Sequence, residues 1–219
     1  MTDYSEEEQV ERLRKWWEEN GTSVVLAVVL SVSALAGWRY WQTSSQEKAE
    51  AASAVYQQLT EAMDQARAIP DRAEQAEQVQ AAAEKLVSEH GSTSYADYGR
   101  FTLAKLAVED GDYDKAAAVL REVMDRPASE AIGWTARARL ARVLLQSADL
   151  DGAAQVLNAS WPESWQGQAF ELRGDLARAR GDLDAARTAY QSALAAMEAG
   201  GAGYRELVQM KLDDLVPAS

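Results

Sequence analysis

From Asn20 to Trp38 the chain carries no charged side chain, a run of 19 residues in a protein where 26% of residues are charged. Val24, Val25, Leu26, Ala27, Val28, Val29, Leu30, Val32, Ala34, Leu35 and Ala36 form its centre. A helix needs about 20 apolar residues to cross the hydrocarbon layer of a bilayer. Aromatic residues bracket the run, with Trp16 and Trp17 before it and Trp38, Tyr40 and Trp41 after it. Trp16 and Trp38 stand 22 positions apart, roughly 33 Å along a helix. That matches the spacing of the two membrane interfaces, where Trp and Tyr sit best. The run therefore predicts one membrane-spanning helix over 20–41, with those five aromatics at the interfaces. Two other readings pass the same hydropathy test. One is a buried core helix, although Thr22, Ser23, Ser31 and Ser33 make the segment only moderately apolar. The other is a signal peptide cleaved at Ala34-Leu35-Ala36, although the tail 1–19 is long and net acidic where a signal peptide begins basic.

The bases near the run are Arg12, Arg14 and Lys15 on one side and Arg39 and Lys48 on the other. This small excess favours a cytoplasmic tail, with 42–219 on the outer side of the inner membrane. Whole-chain averages hide this division. Net charge is −13, with pI about 4.6 and mean hydropathy −0.37, which resembles a soluble acidic globule. Residues 42–219 alone hold 18 bases and 28 acids. Such a surface is a poor match for nucleic acid, whose phosphates need a basic partner. It is repelled by anionic headgroups and attracts basic clients.

Residues 42–219 read as all-α. Alanine is abundant and β-branched residues are sparse, while Pro70, Pro127, Pro162 and Pro217 fall where helices should stop. With no Gly or Pro after Gly37, the spanning helix is expected to continue to about Ala68.

The outer part also repeats. Gly111-Asp112-Tyr113, Ala148-Asp149-Leu150 and Gly181-Asp182-Leu183 are equivalent turns spaced by 37 and 33 residues. Five places after each first turn residue stands Ala116, Ala153 or Ala186, and nine places after it Leu120, Leu157 or Tyr190. Ten places before it stands Phe101, Ala138 or Glu171. This is a tetratricopeptide-like pattern of helix pairs. Small residues let paired helices approach at Ala104 and Ala116, and at Gly174 and Ala186, while each turn Asp is placed to cap the next helix. Repeats are expected over about 97–130, 134–166 and 167–199. A capping helix over 204–216 would close the exposed end of the solenoid.

Nothing in the sequence points to catalysis, a cofactor or a metal. There is no cysteine and only one histidine, His90, at a predicted helix end. Gly200-Gly201-Ala202-Gly203 follows no strand and so is not a nucleotide loop. A helical solenoid offers a concave face instead, lined mostly by the first helix of each pair. By repeat position its candidate partner-binding residues are Tyr98, Phe101, Lys105, Arg142, Glu171, Asp175 and Arg178.

Several segments together resemble the YfgM family, ancillary subunits of the bacterial SecYEG translocon. They are Val10-Glu11 with Trp17, Glu19, Asn20 and Gly21, then Gly37-Trp38-Arg39-Tyr40-Trp41, then Leu140-Ala141-Arg142-Val143. Leu172-Arg173-Gly174-Asp175, Gly181-Asp182 and Gln209-Met210-Lys211-Leu212 with Leu215 complete the set. The resemblance implies an inner-membrane protein whose helical domain faces the periplasm. It implies association with the SecYEG translocon and the periplasmic chaperone PpiD, and help in passing secreted polypeptides to periplasmic chaperones. An anchored helical-repeat assembly factor for another envelope complex is the other reading, although no lipobox cysteine exists here.

Overall fold

The computed structural model describes residues 6–68, 72–197 and 202–215. Among them are nine helices and no strand: α1 (Glu6–Ala68), α2 (Arg72–His90), α3 (Ser94–Glu109), α4 (Tyr113–Asp125), α5 (Glu130–Gln146), α6 (Leu150–Leu157), α7 (Glu163–Ala179), α8 (Leu183–Ala196) and α9 (Ala202–Asp213). The chain divides after Glu50 into two units.

In the first unit the apolar run has no protein core around it. Val25, Leu26, Val28, Val29, Leu30, Val32 and Leu35 are all more than half exposed, which is not how a core helix sits. The helix is long and apolar enough to cross a membrane. Two of its polar side chains bond within the helix. Ser31 Oγ donates to the Ala27 carbonyl at 2.7 Å, and Asn20 Nδ2 donates to the Trp16 carbonyl at 3.0 Å. Both bonds lower the cost of taking those groups into hydrocarbon. The Trp17 indole lies against Gly21, and the Trp38 and Trp41 rings meet at 5.4 Å.

In the second unit the end of α1 pairs with α2 around Ala52, Val55, Leu59, Val79, Ala83 and Leu86. The Tyr56 ring joins this pair to α3, 5.3 Å from the Tyr95 ring. Three further pairs follow, α3–α4, α5–α6 and α7–α8. A larger core runs through the first two and into α7, with Leu120, Leu140, Leu157 and Leu172 almost fully buried. A smaller one lies between α8 and α9, around Tyr190, Val208 and Leu215.

These three pairs turn by the same device. The amide of Asp112 donates to the Ala107 carbonyl at 2.8 Å, and that of Gly111 to the Val108 carbonyl at 3.0 Å. This is the Schellman ending, which places the residue between in the left-handed region. Gly111 has φ +80° and Gly181 +79°. The same aspartate then caps the next helix: its carboxylate accepts from the Lys115 amide at 3.0 Å, and the pattern recurs at Asp149 with Gly152 and at Asp182 with Ala185. One residue thus ends one helix and begins another, which keeps the turn short.

The second turn carries alanine in glycine's place, with Ala148 at φ +61°. A side chain in this conformation costs roughly 1–2 kcal/mol. Part of that is offset by the greater freedom glycine has when unfolded. Ala148→Gly is therefore expected to stabilise the protein by about 0.5–1 kcal/mol, read as a higher denaturant midpoint with unchanged slope. The opposite change, Gly111→Ala, should lower it.

The element ends differ from expectation in places. Pro162 stands at the N-cap of α7 without a side-chain cap bond, while Pro70, Pro217 and Gly200-Gly201 lie outside the described residues. The closing helix starts earlier and stops earlier than 204–216, although Leu215 beyond its end is still buried. α6 is only 8 residues long. Its last carbonyls are met from outside: Leu157 O accepts from Arg173 at 2.9 Å and from the Trp161 indole at 3.3 Å.

Candidate functional site

The first helices of the three pairs, α3, α5 and α7, carry all seven residues predicted for the concave face. The structure separates them by burial. Tyr98 is exposed, its ring 5.6 Å from that of Tyr56. Lys105 is exposed and pairs with Glu109 on its own helix. Arg178 is exposed on α7, while Arg142 on α5 and Asp175 on α7 are half-buried. Phe101 and Glu171 are interior, with 6% and 1% exposure. Phe101 packs in the core beneath the Arg139 guanidinium, 4.3 Å from its ring centre. Neither side chain is available for direct contact with a partner, because each stands at the repeat position that points between helices.

A buried carboxylate must find partners, and those of Glu171 come from two other helices, α9 and α5. Lys211 of α9 donates to its Oε1. Tyr204 of α9 donates to Oε2 at 2.8 Å, and Arg142 reaches the same oxygen at 3.3 Å. Arg142 also donates to the Tyr204 hydroxyl at 2.9 Å. With its amide oxygen turned toward the donors, Gln168 accepts from both Arg142 terminal nitrogens at 3.2 and 3.1 Å. One turn along α7, Asp175 accepts from Lys211 at 2.6 and 2.8 Å and from the Tyr190 hydroxyl at 2.7 Å. So Arg142, Glu171 and Asp175 form one network, and Lys211, Tyr204 and Tyr190 complete it. The repeat register hinted at this, since Glu171 occupies the place of Phe101 and Ala138. A carboxylate at an interior position requires a cation elsewhere in the chain.

Burial disfavours the charged form of Glu171, but the Lys211 bond and charge, the Arg142 charge and the Tyr204 hydroxyl outweigh it. Its carboxyl is held below its ordinary value. For Asp175 burial wins, aided by the neighbouring Glu171 charge, and its carboxyl is pushed up. The stability contributed by Glu171 is present above the ordinary carboxylate range and is lost as pH falls below it.

Both tyrosines are pushed above their ordinary value. Burial is the main cause, with the bond to Asp175 next for Tyr190 and the Glu171 charge next for Tyr204. Their contribution is complete below the ordinary tyrosine pKa, near ~10, and is lost as pH rises beyond it. Of eight tyrosines, these two are expected to keep their protons until the domain unfolds. Alkaline titration by tyrosinate absorbance checks this: Tyr190→Phe and Tyr204→Phe should each remove one late-titrating group.

Among the described residues no group of three or more His, Asp or Glu side chains is placed to hold a metal ion. Beside the network lies an open groove of about 480 Å³, lined by Arg142, Leu145, Gln146, Asp175, Arg178 and Ala179.

Antiparallel helix pairs with Schellman turns, closed by a final helix and preceded by an exposed apolar helix, define a helical-repeat protein of the tetratricopeptide kind. A family model described as a tetratricopeptide repeat-like domain matches residues 14–217. Three curated relatives share the name "Ancillary SecYEG translocon subunit". The one from Haemophilus influenzae is 32% identical over 96% of this chain and 97% of its own length. Those from Escherichia coli K12 and Aggregatibacter actinomycetemcomitans are 31% and 30% identical, with the same coverage. The chain belongs to this family of ancillary SecYEG translocon subunits, a scaffold kind of family. The crystal structure of BtubC (BKLC) from P. vanneervenii shares the fold, with a TM-score of 0.50 at 16% identity over 75% of this chain and 81% of that one.

Proposed function

We propose that this protein is a membrane-anchored interaction scaffold of the Sec translocon. Residues 20–41 span the inner membrane, 1–19 lie in the cytoplasm, and 42–219 stand in the periplasm. Trp16, Trp17, Trp38, Tyr40 and Trp41 sit at the two interfaces. The helical domain works beside the SecYEG translocon with the chaperone PpiD and helps emerging polypeptides reach periplasmic chaperones. Tyr98, Lys105, Arg142 and Arg178 offer its contact surface, and Glu171 and Asp175 hold that surface in shape.

The observation that carries this reading is relatedness along nearly the whole chain to translocon subunits, apolar helix and closing helix included. Purification in mild detergent followed by identification of associated proteins tests it. Translocon subunits together with PpiD are expected. Recovery of another envelope assembly machine, with no translocon subunit, would replace this reading. Protease added to spheroplasts tests the topology, and the helical domain should be cut while the tail is protected.

A further inference from the structure

The groove between α5 and α7 differs in sign from the domain around it. Residues 42–219 carry ten more acids than bases, yet on this face two guanidiniums, Arg139 and Arg178, have no carboxylate partner among the described residues, and a third, Arg142, is tied to Glu171. Arg142 from α5 and Arg178 from α7 line the groove, and Arg139 stands beside it, one turn before Arg142 on α5. Arg139 lies over the Phe101 ring, which fixes its plane and extends the basic stripe toward α3.

The carboxylates beside Arg142 and that of Glu109 on α3 are already engaged. Glu171 and Asp175 are taken up by Lys211 and the two tyrosine hydroxyls, and Glu109 is paired with Lys105. On its other side Arg178 shares a second groove with Asp182, Asp184 and Asp214, and none of them comes within ion-pair distance of it. Among the described residues Arg139 and Arg178 have no carboxylate partner. Burial and the Arg142 charge both hold the Arg139 guanidinium below its ordinary value, as expected where positive charge is left uncompensated. The network below keeps Arg142 in place through Glu171, Tyr204 and Gln168.

A planar guanidinium matches a carboxylate through paired N–H donors. The floor between the arginines is apolar, made by Leu145 and Ala179, and suits the stems of short side chains. We propose that this groove receives an acidic segment of a partner polypeptide, its carboxylates on Arg139, Arg142 and Arg178. The inference rests on the scaffold reading above and names the charge class of what the scaffold holds. It also reverses the expectation from net charge, which favours basic clients over the domain as a whole. Exposed charges more than about 8 Å apart are largely screened from one another at physiological salt, so inside the groove the local arginines decide. An anionic bilayer is a poorer match, because a flat surface does not enter a concave one and the acidic domain repels it.

The test uses the full-length protein in detergent and three probes. These are a fluorescent peptide with glutamate at every second position, its lysine counterpart, and phosphatidylglycerol vesicles. The glutamate peptide is expected to bind and the lysine peptide not. Arg139→Gln and Arg178→Gln should each weaken binding about tenfold, and Arg139→Glu with Arg178→Glu should abolish it. Arg178 is exposed, so melting curves of its variants should match the parent, whereas the Arg139 variants also lose the stacking on Phe101 and are compared at a temperature where they are fully folded. Tighter binding of the lysine peptide, displacement by the vesicles, or equal binding by parent and double variant would each overturn the proposal. Co-purification separates this from the scaffold reading. Translocon recovered with a parent protein that ignores the glutamate peptide defeats only the groove assignment. Loss of translocon from the parent defeats the scaffold.

Discussion

Lys211→Met is expected to destabilise the helical domain by about 3 kcal/mol, the low end of what breaking a buried ion pair costs. The Lys211 ammonium is the group that meets both Glu171 and Asp175. Its own side chain is 22% exposed, against 1% for Glu171, so the penalty falls on the carboxylate left behind. Glu171 would keep Tyr204 and Arg142 but lose its strongest partner in a place that water does not reach. The cost appears where α9 joins α7, and α9 should be the first helix to open. Urea unfolding of the full chain in detergent, followed by far-UV circular dichroism, measures the midpoint. Hydrogen exchange along α9 reports where the opening occurs. A second substitution gives the sharper outcome. In the Lys211→Met background, Glu171→Gln should recover part of the loss, since a neutral amide costs less to bury than an unpaired carboxylate. If Glu171→Gln instead deepened the loss by its full single-variant cost, the two residues would be uncoupled and the network account wrong.

The residues behind these effects could be read from the chain to different degrees. Helix pairs and their turns follow from local chemistry. A Gly-Asp step can end one helix and cap the next within two residues, so Gly111-Asp112 and Gly181-Asp182 declare themselves. Ala148-Asp149 is recognised by register alone, and the structure adds that its alanine bears a positive φ. The concave-face positions follow from the same register, which places Arg142, Glu171, Asp175 and Arg178 on first helices. What register does not reveal is the partner. Glu171 and Arg178 both fall on the first helix of a pair, yet Glu171 shares the interior position of Phe101 and Ala138 while Arg178 is exposed, and the cation that Glu171 needs comes from α9. That contact joins residues 40 positions apart, and no local pattern encodes it. Tyr190 is similar. Repeat position predicts a large apolar filler, while its hydroxyl's bond to Asp175 depends on how two helices cross.

That crossing yields the other large effect. Tyr190 is wholly buried, and Tyr190→Ala is expected to cost about 3–5 kcal/mol, as for other large aromatic truncations. Asp175 would also lose its 2.7 Å hydrogen bond. The space for the ring exists because residue 174 is glycine. A Cβ there would lie 2.4 Å from Tyr190 Cε1 and 2.5 Å from Cδ1, well inside van der Waals contact. The ring has little room to yield, since its hydroxyl is tied to Asp175 and its edge is enclosed by the α8–α9 core. Gly174→Ala alone should therefore destabilise by about 1–3 kcal/mol through overpacking, even though alanine is the better helix former by roughly 1 kcal/mol. Combining the two changes reverses the sign of the second. With the ring gone, the alanine methyl meets a cavity and its helix propensity is free to act, so Gly174→Ala should be stabilising in the Tyr190→Ala background. Unfolding midpoints of the four proteins in this cycle measure the coupling directly. A Gly174→Ala effect of the same sign and size in both backgrounds would mean that the ring does not fill the space that the glycine leaves.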